Sequence, residues 1–333
     1  MRLAGLVPSI SAELVSCLDK LGIRTDTDLV FRPIIEVYRQ LPPGIVALRD
    51  LENVVTRVTE LASAPAMSGA DMLKLEMQAD TKAPVLSSGI DHLDRLLGGF
   101  GGRRVIEIAG DKQSGKTTLA LNIVLRHLAE FRHGRAVWLD TTGDFSVEQA
   151  TEVLKSLHTE AASTALERLQ VSLAFDIEAA YNVLEELESF LTPSASPENH
   201  LWCIVIDAIT PLLGPLLSAV SAQGHSTMTS FMRQLRTVAQ RHSCPILVIN
   251  NATLINPRDT ANLSAARKPA LGPSFAFLTD ATLWLETTGD EAVHDHDREY
   301  TVRSAEVLRS KTTPLRSRAL FRISRGIIHE QGP

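Results

Sequence analysis

Apolar residues in the first part of the chain recur at helical spacing. They do so around Leu14 and Leu18, and again over residues 46–61. Spacings of three and four residues predict helices with one apolar face. A Pro-Pro-Gly turn at 41–45 separates these stretches. Residues 1–62 are therefore predicted to form a small all-helical domain, either a helix-hairpin-helix-like lobe or a plain helical cap without a ligand.

From residue 85 onward, short β-type apolar runs alternate with helical stretches. The predicted strands are 104–109, 136–140, 170–174, 201–207, 245–250, 281–286, 304–310 and 319–324. Strands that alternate with helices predict a mainly parallel sheet covered on both faces. The last strands follow one another without helices, so an antiparallel edge is expected. Residues 85–333 are predicted to be one α/β domain, preceded by a linker at 63–84.

Composition narrows the class of protein. The chain has 333 residues, is 44% hydrophobic and carries a net charge of −6. No apolar run reaches the roughly 18 residues of a membrane span, and the start of the chain does not resemble a signal peptide. Its three cysteines are widely separated and contain no Cys-x-x-Cys pair, so neither a disulfide framework nor a zinc site is indicated. We expect a soluble protein of a reducing compartment.

A glycine-rich motif at 110–117 carries the clearest chemical signal, because it matches G-x-x-x-x-G-K-[ST]. Backbone N–H groups of such a loop surround phosphates, Lys116 reaches their β and γ oxygens, and Thr117 ligates Mg²⁺. A predicted strand precedes the motif and a predicted helix follows it, as a P-loop requires. The predicted nucleotide-binding residues are Gly110, Asp111, Lys112, Gln113, Ser114, Gly115, Lys116, Thr117 and Thr118.

The apolar strand Leu201–Asp207 ends in a carboxylate. Taken alone, it would be an ordinary core strand followed by a turn residue. After a P-loop in a parallel sheet, however, a second acid is expected to order the hydrated magnesium. We therefore predict that Asp207 binds Mg²⁺ through water, together with Thr117.

The order of the motifs is similar to that of a known family. The linker motif at 86–99, the P-loop, the segment 139–145, the strand that ends at Asp207 and Lys-Pro-Ala-Leu-Gly at 268–272 follow one another along nearly the whole chain. This order resembles the RecA-like recombinases of eukaryotes, the Rad-fifty-one group. The segments 169–177 and 268–275 resemble its D-type paralogues.

The resemblance implies a RecA-like P-loop core that binds ATP and Mg²⁺. It also implies a nuclear protein of homologous recombination and double-strand break repair. The partners it implies are other recombinase paralogues, including the X-ray-complementing type, and single-stranded DNA bound weakly.

Two positions depart from the pattern of active recombinases. Thr142 stands where the family carries the glutamate that orients the attacking water. Loss of such a base typically costs about 10²–10⁴ in rate, so weak or absent hydrolysis is expected unless Asp144 or Glu148 substitutes. The strand after 246 runs into Asn251 and Ala252, where the family places a glutamine that senses the γ-phosphate. Ala252 cannot make that hydrogen bond.

The family's two DNA-binding loops are expected at about 211–229 and 254–273. The first contains neither Lys nor Arg. The second offers Arg258, Arg267 and Lys268 as candidate phosphate contacts. Residues 298–325 carry eight basic side chains against two acidic ones. That stretch is either a DNA-facing surface or a solvated edge sheet.

Two functions remain in view at this point. One is an ATP-binding assembly subunit that helps a recombinase on single-stranded DNA. The other is an active, DNA-dependent ATPase that forms its own filament. Residues 62–66 lack the Phe-x-x-Ala anchor by which family recombinases dock neighbouring subunits, which favours the first. We identify no lid or acceptor motif in the sequence, which argues against a generic P-loop kinase.

Overall fold

The structure is a computed structural model that divides into two compact units, Met1–Glu76 and Met77–Pro333. It describes residues 2–63, 66–80, 86–190, 200–217, 222–254, 267–288, 293–295 and 298–331. The boundary between the units lies within the predicted linker, 63–84. The functional division into helical domain, linker and core stays a prediction.

The first unit is helical, as its apolar spacing predicts. Its helices are α1 (Ala12–Lys20), α2 (Asp26–Val30), α3 (Ile34–Gln40), α4 (Leu48–Ala62) and α5 (Gly69–Asp80), which extends past the unit boundary. Helix α2 begins with a capping box, in which Thr25 Oγ1 accepts from the Asp28 N–H and the Asp28 carboxylate accepts from the Thr25 N–H. Leu18, Leu51 and Val58 are fully buried and form the centre of a separate small core.

The second unit is built on one large sheet. Its strands are β1 (Val105–Gly110), β2 (Arg135–Asp140), β3 (Leu169–Leu173), β4 (Leu201–Asp207), β5 (Ile246–Leu254), β6 (Arg267–Pro269), β7 (Ala281–Thr287), β8 (Val293–Asp295), β9 (Arg298–Ser310), β10 (Arg318–Ser324) and β11 (Ile327–Glu330). The order across the sheet is β11-β10-β9-β7-β1-β5-β4-β2-β3, with β6 beside β5 and β8 beside β9.

Strand direction confirms the predicted mixed sheet. All pairs from β7 through β1, β5, β4 and β2 to β3 are parallel. The pairs β7–β9, β9–β10 and β10–β11 are antiparallel, because these strands follow one another with no long helix between them. All eight predicted strands form. The additional strands β6, β8 and β11 are three or four residues long.

Helices cover both faces of the sheet. They are α6 (Asp91–Arg95), α7 (Lys116–Glu130), α8 (Val147–Leu157), α9 (Ala162–Ala165), α10 (Ile177–Phe190), α11 (Ile209–Leu213), α12 (Ala222–His242) and α13 (Gly272–Ala276). Leu119 and Ile123 of α7 belong to the core on one face, and Phe231 of α12 belongs to the core on the other. Both faces of β1 are therefore buried, and the loop that follows it is fixed from two sides.

A buried acid lies in the middle of this sheet. Glu107 of β1 is fully buried, accepting from Asn250 Nδ2 at 2.7 Å and from Thr282 Oγ1 at 2.7 Å. Burial raises the pKa of Glu107, and the two hydrogen bonds oppose that rise. Asn250 also donates to the Ala270 carbonyl at 3.0 Å and accepts from Thr210 Oγ1 at 2.8 Å. This polar network joins β1, β5, β7 and the segments at 210 and 270.

None of the helices in the described ranges is both long and apolar enough to cross a membrane.

Candidate nucleotide-binding site

The predicted P-loop connects β1 to α7 at the carboxyl edge of the parallel strands. Gly115 precedes the first helical residue, Lys116, and has a φ of +95°. A Cβ at Gly115 would lie 2.6 Å from Ile323 Cδ1, and one at Gly110 would lie 2.3 Å from the Leu285 carbonyl oxygen. Gly110 therefore requires glycine for conformation and for space, and Gly115 requires it for conformation.

Lys116 lies against the loop backbone. Its Nζ donates to the carbonyls of Gly110 at 3.0 Å and Asp111 at 2.5 Å. Burial lowers the pKa of Lys116, while the charges of Asp207 and Asp111 act in the opposite direction. The hydroxyl of Ser114 is buried and has no hydrogen-bond partner within the described ranges. The loop thus contains a largely buried cation and an unsatisfied hydroxyl.

The structure brings Thr117 and Asp207 together. Thr117 Oγ1 donates to Asp207 Oδ2 at 2.9 Å, which links the start of α7 to the end of β4. Burial raises the pKa of Asp207 to about 6. The hydrogen bond from Thr117 and the charge of Lys116 lower it, whereas Asp140 adds to the rise. A hydroxyl, a carboxylate and an ammonium group thus converge on one edge of the sheet.

The remaining P-loop residues lie at the periphery. Lys112 and Gln113 are exposed, and Gln113 has a φ of +65°. Thr118 Oγ1 accepts from Gln149 Nε2 at 3.3 Å, which connects the loop to α8.

The turn after β2 is fixed by Asp140. Its carboxylate accepts backbone N–H bonds from Thr142 at 2.9 Å, Gly143 at 2.8 Å and Phe145 at 3.0 Å. Burial would raise the pKa of Asp140, but these hydrogen bonds outweigh burial and lower it. Thr142 is exposed, and its hydroxyl lies 3.3 Å from Asp140 Oδ1. A threonine hydroxyl at this position can accept no proton from water at neutral pH.

The end of β5 places Asn251, rather than Ala252, beside the P-loop. Asn251 pairs with Gly110 in the parallel β1–β5 register, and Ala252 pairs with Pro269 of β6. Ala252 has no amide side chain, but Asn251, the residue that pairs with the first glycine of the loop, has one. This register could not be read from the sequence.

The candidate DNA contacts occupy different environments. Arg267 Nη1 donates to Asp111 Oδ1 of the P-loop at 2.6 Å. The side chain of Lys268, the next residue, has no hydrogen bond or ion pair within the part of the chain that is described. Arg258 lies outside the described residues.

The basic stretch at 298–325 is partly neutralised. Glu306 forms ion pairs with Arg318 and, at 3.6 Å, with Arg316. Lys311 pairs with Asp280 at 2.7 Å. Several of these cations are thus engaged within the edge sheet, which favours a structural role for them.

Comparison with known proteins identifies the family of this chain. The Rad51 family model matches residues 81–294. The chain belongs to the Rad51 family. DNA repair protein RAD51 homolog 4 of Bos taurus is 32% identical over 289 residues, which cover 86% of this chain and 85% of the relative. The Mus musculus protein of the same name is 28% identical over 292 residues, covering 86% and 85%. The predicted resemblance to this family is confirmed.

A solved structure supports the fold. The crystal structure of the RadB recombinase superposes with a TM-score of 0.58 at 23% identity, covering 74% of this chain and all of that chain. The Rad51 family member described here therefore has the RecA-like fold that its sequence predicts.

Proposed function

We propose that this chain is an ATP-binding subunit that acts in homologous recombination and repair of DNA breaks, where it assists a recombinase on single-stranded DNA. The observation that carries the proposal is the Thr117–Asp207 hydrogen bond beside Lys116, in a member of the Rad51 family. The names of the relatives, DNA repair proteins, support the biological role.

The residues present fit ATP and Mg²⁺. Lys116 supplies a buried positive charge, and the Ser114 hydroxyl is a buried polar group that a phosphate oxygen would satisfy. Thr117 and Asp207 supply the oxygen donors that Mg²⁺ prefers, with Asp207 acting through water. Bound Mg²⁺ would neutralise phosphate charge. The backbone N–H groups of 110–118 would orient the phosphates.

Slow turnover follows from the turn after β2. Asp140 holds Thr142 in place, and that side chain offers no base. An active ATPase that forms its own filament would need another carboxylate to activate water. Asp144 and Glu148 follow in sequence, and Glu148 accepts a hydrogen bond from Ser146 Oγ at 3.1 Å. We therefore assign the nucleotide a mainly structural role.

A partner-binding surface is offered by β3, the edge strand of the sheet. Val171 and Leu173 of β3 have exposed fractions of 39% and 58%, and Phe175, two residues after the strand, has 62%. Exposed apolar side chains on an open sheet edge are suited to pairing with a strand of another protein. We propose that other recombinase paralogues, including the X-ray-complementing type, dock here in the nucleus.

DNA binding is proposed to be weak. The stretch 211–229 carries no Lys or Arg, and Lys268 is the best placed cation of the second loop among the residues that are described. Few phosphate contacts mean low affinity and little counterion release.

Titration with a fluorescent ATP analogue in the presence of Mg²⁺ tests the proposed site. Lys116→Ala removes the charge that faces the phosphates, and we expect the dissociation constant to rise at least about tenfold. Lys20→Ala, an exposed lysine of the first unit, is the matched control and should bind like wild type. Equal affinity of Lys116→Ala and wild type would refute the site.

Co-purification of the tagged chain from nuclear extract, followed by mass spectrometry, tests the partner class. Recovery of recombinase paralogues is expected, and fewer should be recovered with the edge variant Leu173→Glu.

A further inference from the structure

An acidic side chain lies within the phosphate-binding loop itself. Asp111 directly follows Gly110, and its backbone carbonyl holds Lys116 Nζ at 2.5 Å. Burial lowers the pKa of Lys116, and the charge of the Asp111 carboxylate acts in the opposite direction. A negative charge at this point opposes the binding of phosphates, which are themselves anions.

Arg267 offsets this charge. Its guanidinium donates from Nη1 to Asp111 Oδ1 at 2.6 Å, and the two side chains are 48% and 41% exposed. The pair joins residues 156 positions apart.

The backbone of Arg267 is held in place by the sheet. Arg267 pairs with Leu254 and Pro269 pairs with Ala252, in the antiparallel β5–β6 ladder. The Ala270 N–H then donates to the Asn251 carbonyl at 2.8 Å, and Asn251 itself pairs with Gly110. The approach of Arg267 to the P-loop is thus fixed by two ladders and does not depend on the side chain alone.

We propose that Arg267 is a positioning residue of the nucleotide site: it neutralises and orients Asp111, and so keeps the P-loop receptive to ATP phosphates. The inference rests on the proposed function, since it requires that the loop binds ATP. It moves Arg267 from the DNA contacts to the nucleotide site. It also means that the end of the second loop is fastened to the P-loop.

A double-mutant cycle tests the pair. Arg267→Ala uncovers the Asp111 charge, so ATP-analogue affinity at low salt should fall about threefold to fivefold, the range of a partly exposed ion pair. Asp111→Asn removes the repelling charge and should bind at least as tightly as wild type. Combining the two should restore affinity to within about twofold of wild type. The difference between Arg267→Ala and wild type should shrink as salt rises to about 0.5 M, because charges near the surface are screened.

Lys268→Ala provides the comparison. It removes one positive charge from the neighbouring position of β6, and so measures the general effect of loop charge on ATP affinity. The Arg267→Ala loss should exceed it at least twofold. Arg267→Gln serves as a second variant, and unfolding temperatures within about 2 °C of wild type show that each protein is folded.

The outcomes separate the two proposals. Absence of ATP binding by wild type would refute the proposed function and this inference together. Normal ATP binding with an unchanged Arg267→Ala affinity would refute the inference alone. Equal losses in Arg267→Ala and Lys268→Ala, without rescue by Asp111→Asn, would also refute it, because only the general charge of the loop would then matter.

Discussion

Thr117 Oγ1 donates to Asp207 Oδ2 at 2.9 Å, although the two residues are 90 positions apart. Neither residue suffices as a magnesium site by itself. Their contact follows from the parallel sheet, in which β5 lies between β1 and β4 and the carboxyl ends of the three strands lie at the same edge.

Asp207→Asn should have opposite effects on stability and binding. Because burial raises the pKa of Asp207 to about 6, the folded protein holds this proton more tightly than the unfolded chain does. The free-energy cost of ionising Asp207 in the folded protein therefore grows as the pH rises from about 4 to 6, and it is fully present at pH 7.5. Without Mg²⁺, Asp207→Asn should then raise the free energy of unfolding at pH 7.5 by about 3 kcal/mol. Urea unfolding measures this change.

The same variant should lose the Mg²⁺ dependence of ATP-analogue affinity. Asparagine keeps an oxygen for the Thr117 hydrogen bond but lacks the charge that orders hydrated magnesium. An unchanged Mg²⁺ dependence in Asp207→Asn would remove Asp207 from the site.

Replacement of Thr142 tests the assignment of weak hydrolysis. Wild type should hydrolyse ATP in a single turnover at least about 100-fold more slowly than an active recombinase, because no base is positioned. Thr142→Glu adds one carboxylate and should gain at most about tenfold. Single-turnover assays with and without DNA measure both, with Lys116→Ala as the background. A wild-type rate equal to that of an active recombinase, abolished in Lys116→Ala, would show that another residue activates water.

The isolated protein should form no regular filament on single-stranded DNA with ATP and Mg²⁺. The stretch 211–229 carries no Lys or Arg, and residues 62–66 lack a Phe-x-x-Ala anchor. Any binding should weaken with salt. Electron micrographs of continuous helical filaments made by this chain alone would contradict the assembly-subunit proposal.

A buried histidine should make the fold sensitive to acid. Burial lowers the pKa of His127 to about 4, and the charges of His200 and Arg168 act in the same direction. As the pH falls, His127 is therefore protonated in the unfolded chain before it is protonated in the folded protein. The contribution of neutral His127 to the free energy of unfolding is complete above about pH 6.5 and is lost as the pH falls towards 4. The loss from this residue is about 3 kcal/mol. Trp202, whose ring lies 4.5 Å from His127, reports unfolding by fluorescence.

His127→Phe should flatten this pH dependence, because phenylalanine does not titrate and can pack against the neighbouring aromatic rings. The exposed His225 is the control, and His225→Gln should keep the wild-type profile. Identical acid profiles for wild type and His127→Phe would contradict the assignment.

The features of the fold that could be predicted were those encoded by short patterns of neighbouring residues. Apolar runs gave the eight main strands, and the glycine spacing gave the P-loop, since both signals lie within a few neighbouring residues. Strands β6, β8 and β11 were missed because they are only three or four residues long. The position of Asp207 beside Thr117 was predictable only through the rule for P-loop sheets.

Contacts that depend on the register between strands could not be predicted from the sequence. Arg267 carries the same charge whether it contacts DNA or Asp111, and its placement beside Asp111 depends on the β5–β6 ladder. Glu107 was a detectable signal, as one acid within an apolar strand, but its partner Asn250 follows from strand adjacency. Likewise, the register of β1 and β5 decides that Asn251 lies beside Gly110.

Asn250 uses both of its side-chain donors and its side-chain oxygen in this arrangement. Its two amide hydrogens go to Glu107 and the Ala270 carbonyl, and its oxygen accepts from Thr210. Thr210 immediately precedes the first expected DNA loop, and Ala270 lies near the end of the second. Displacement of either anchor would strand a polar atom in the protein interior. The bases of the two expected loops are consequently joined through one buried side chain, so a shift at either base would cost a buried hydrogen bond.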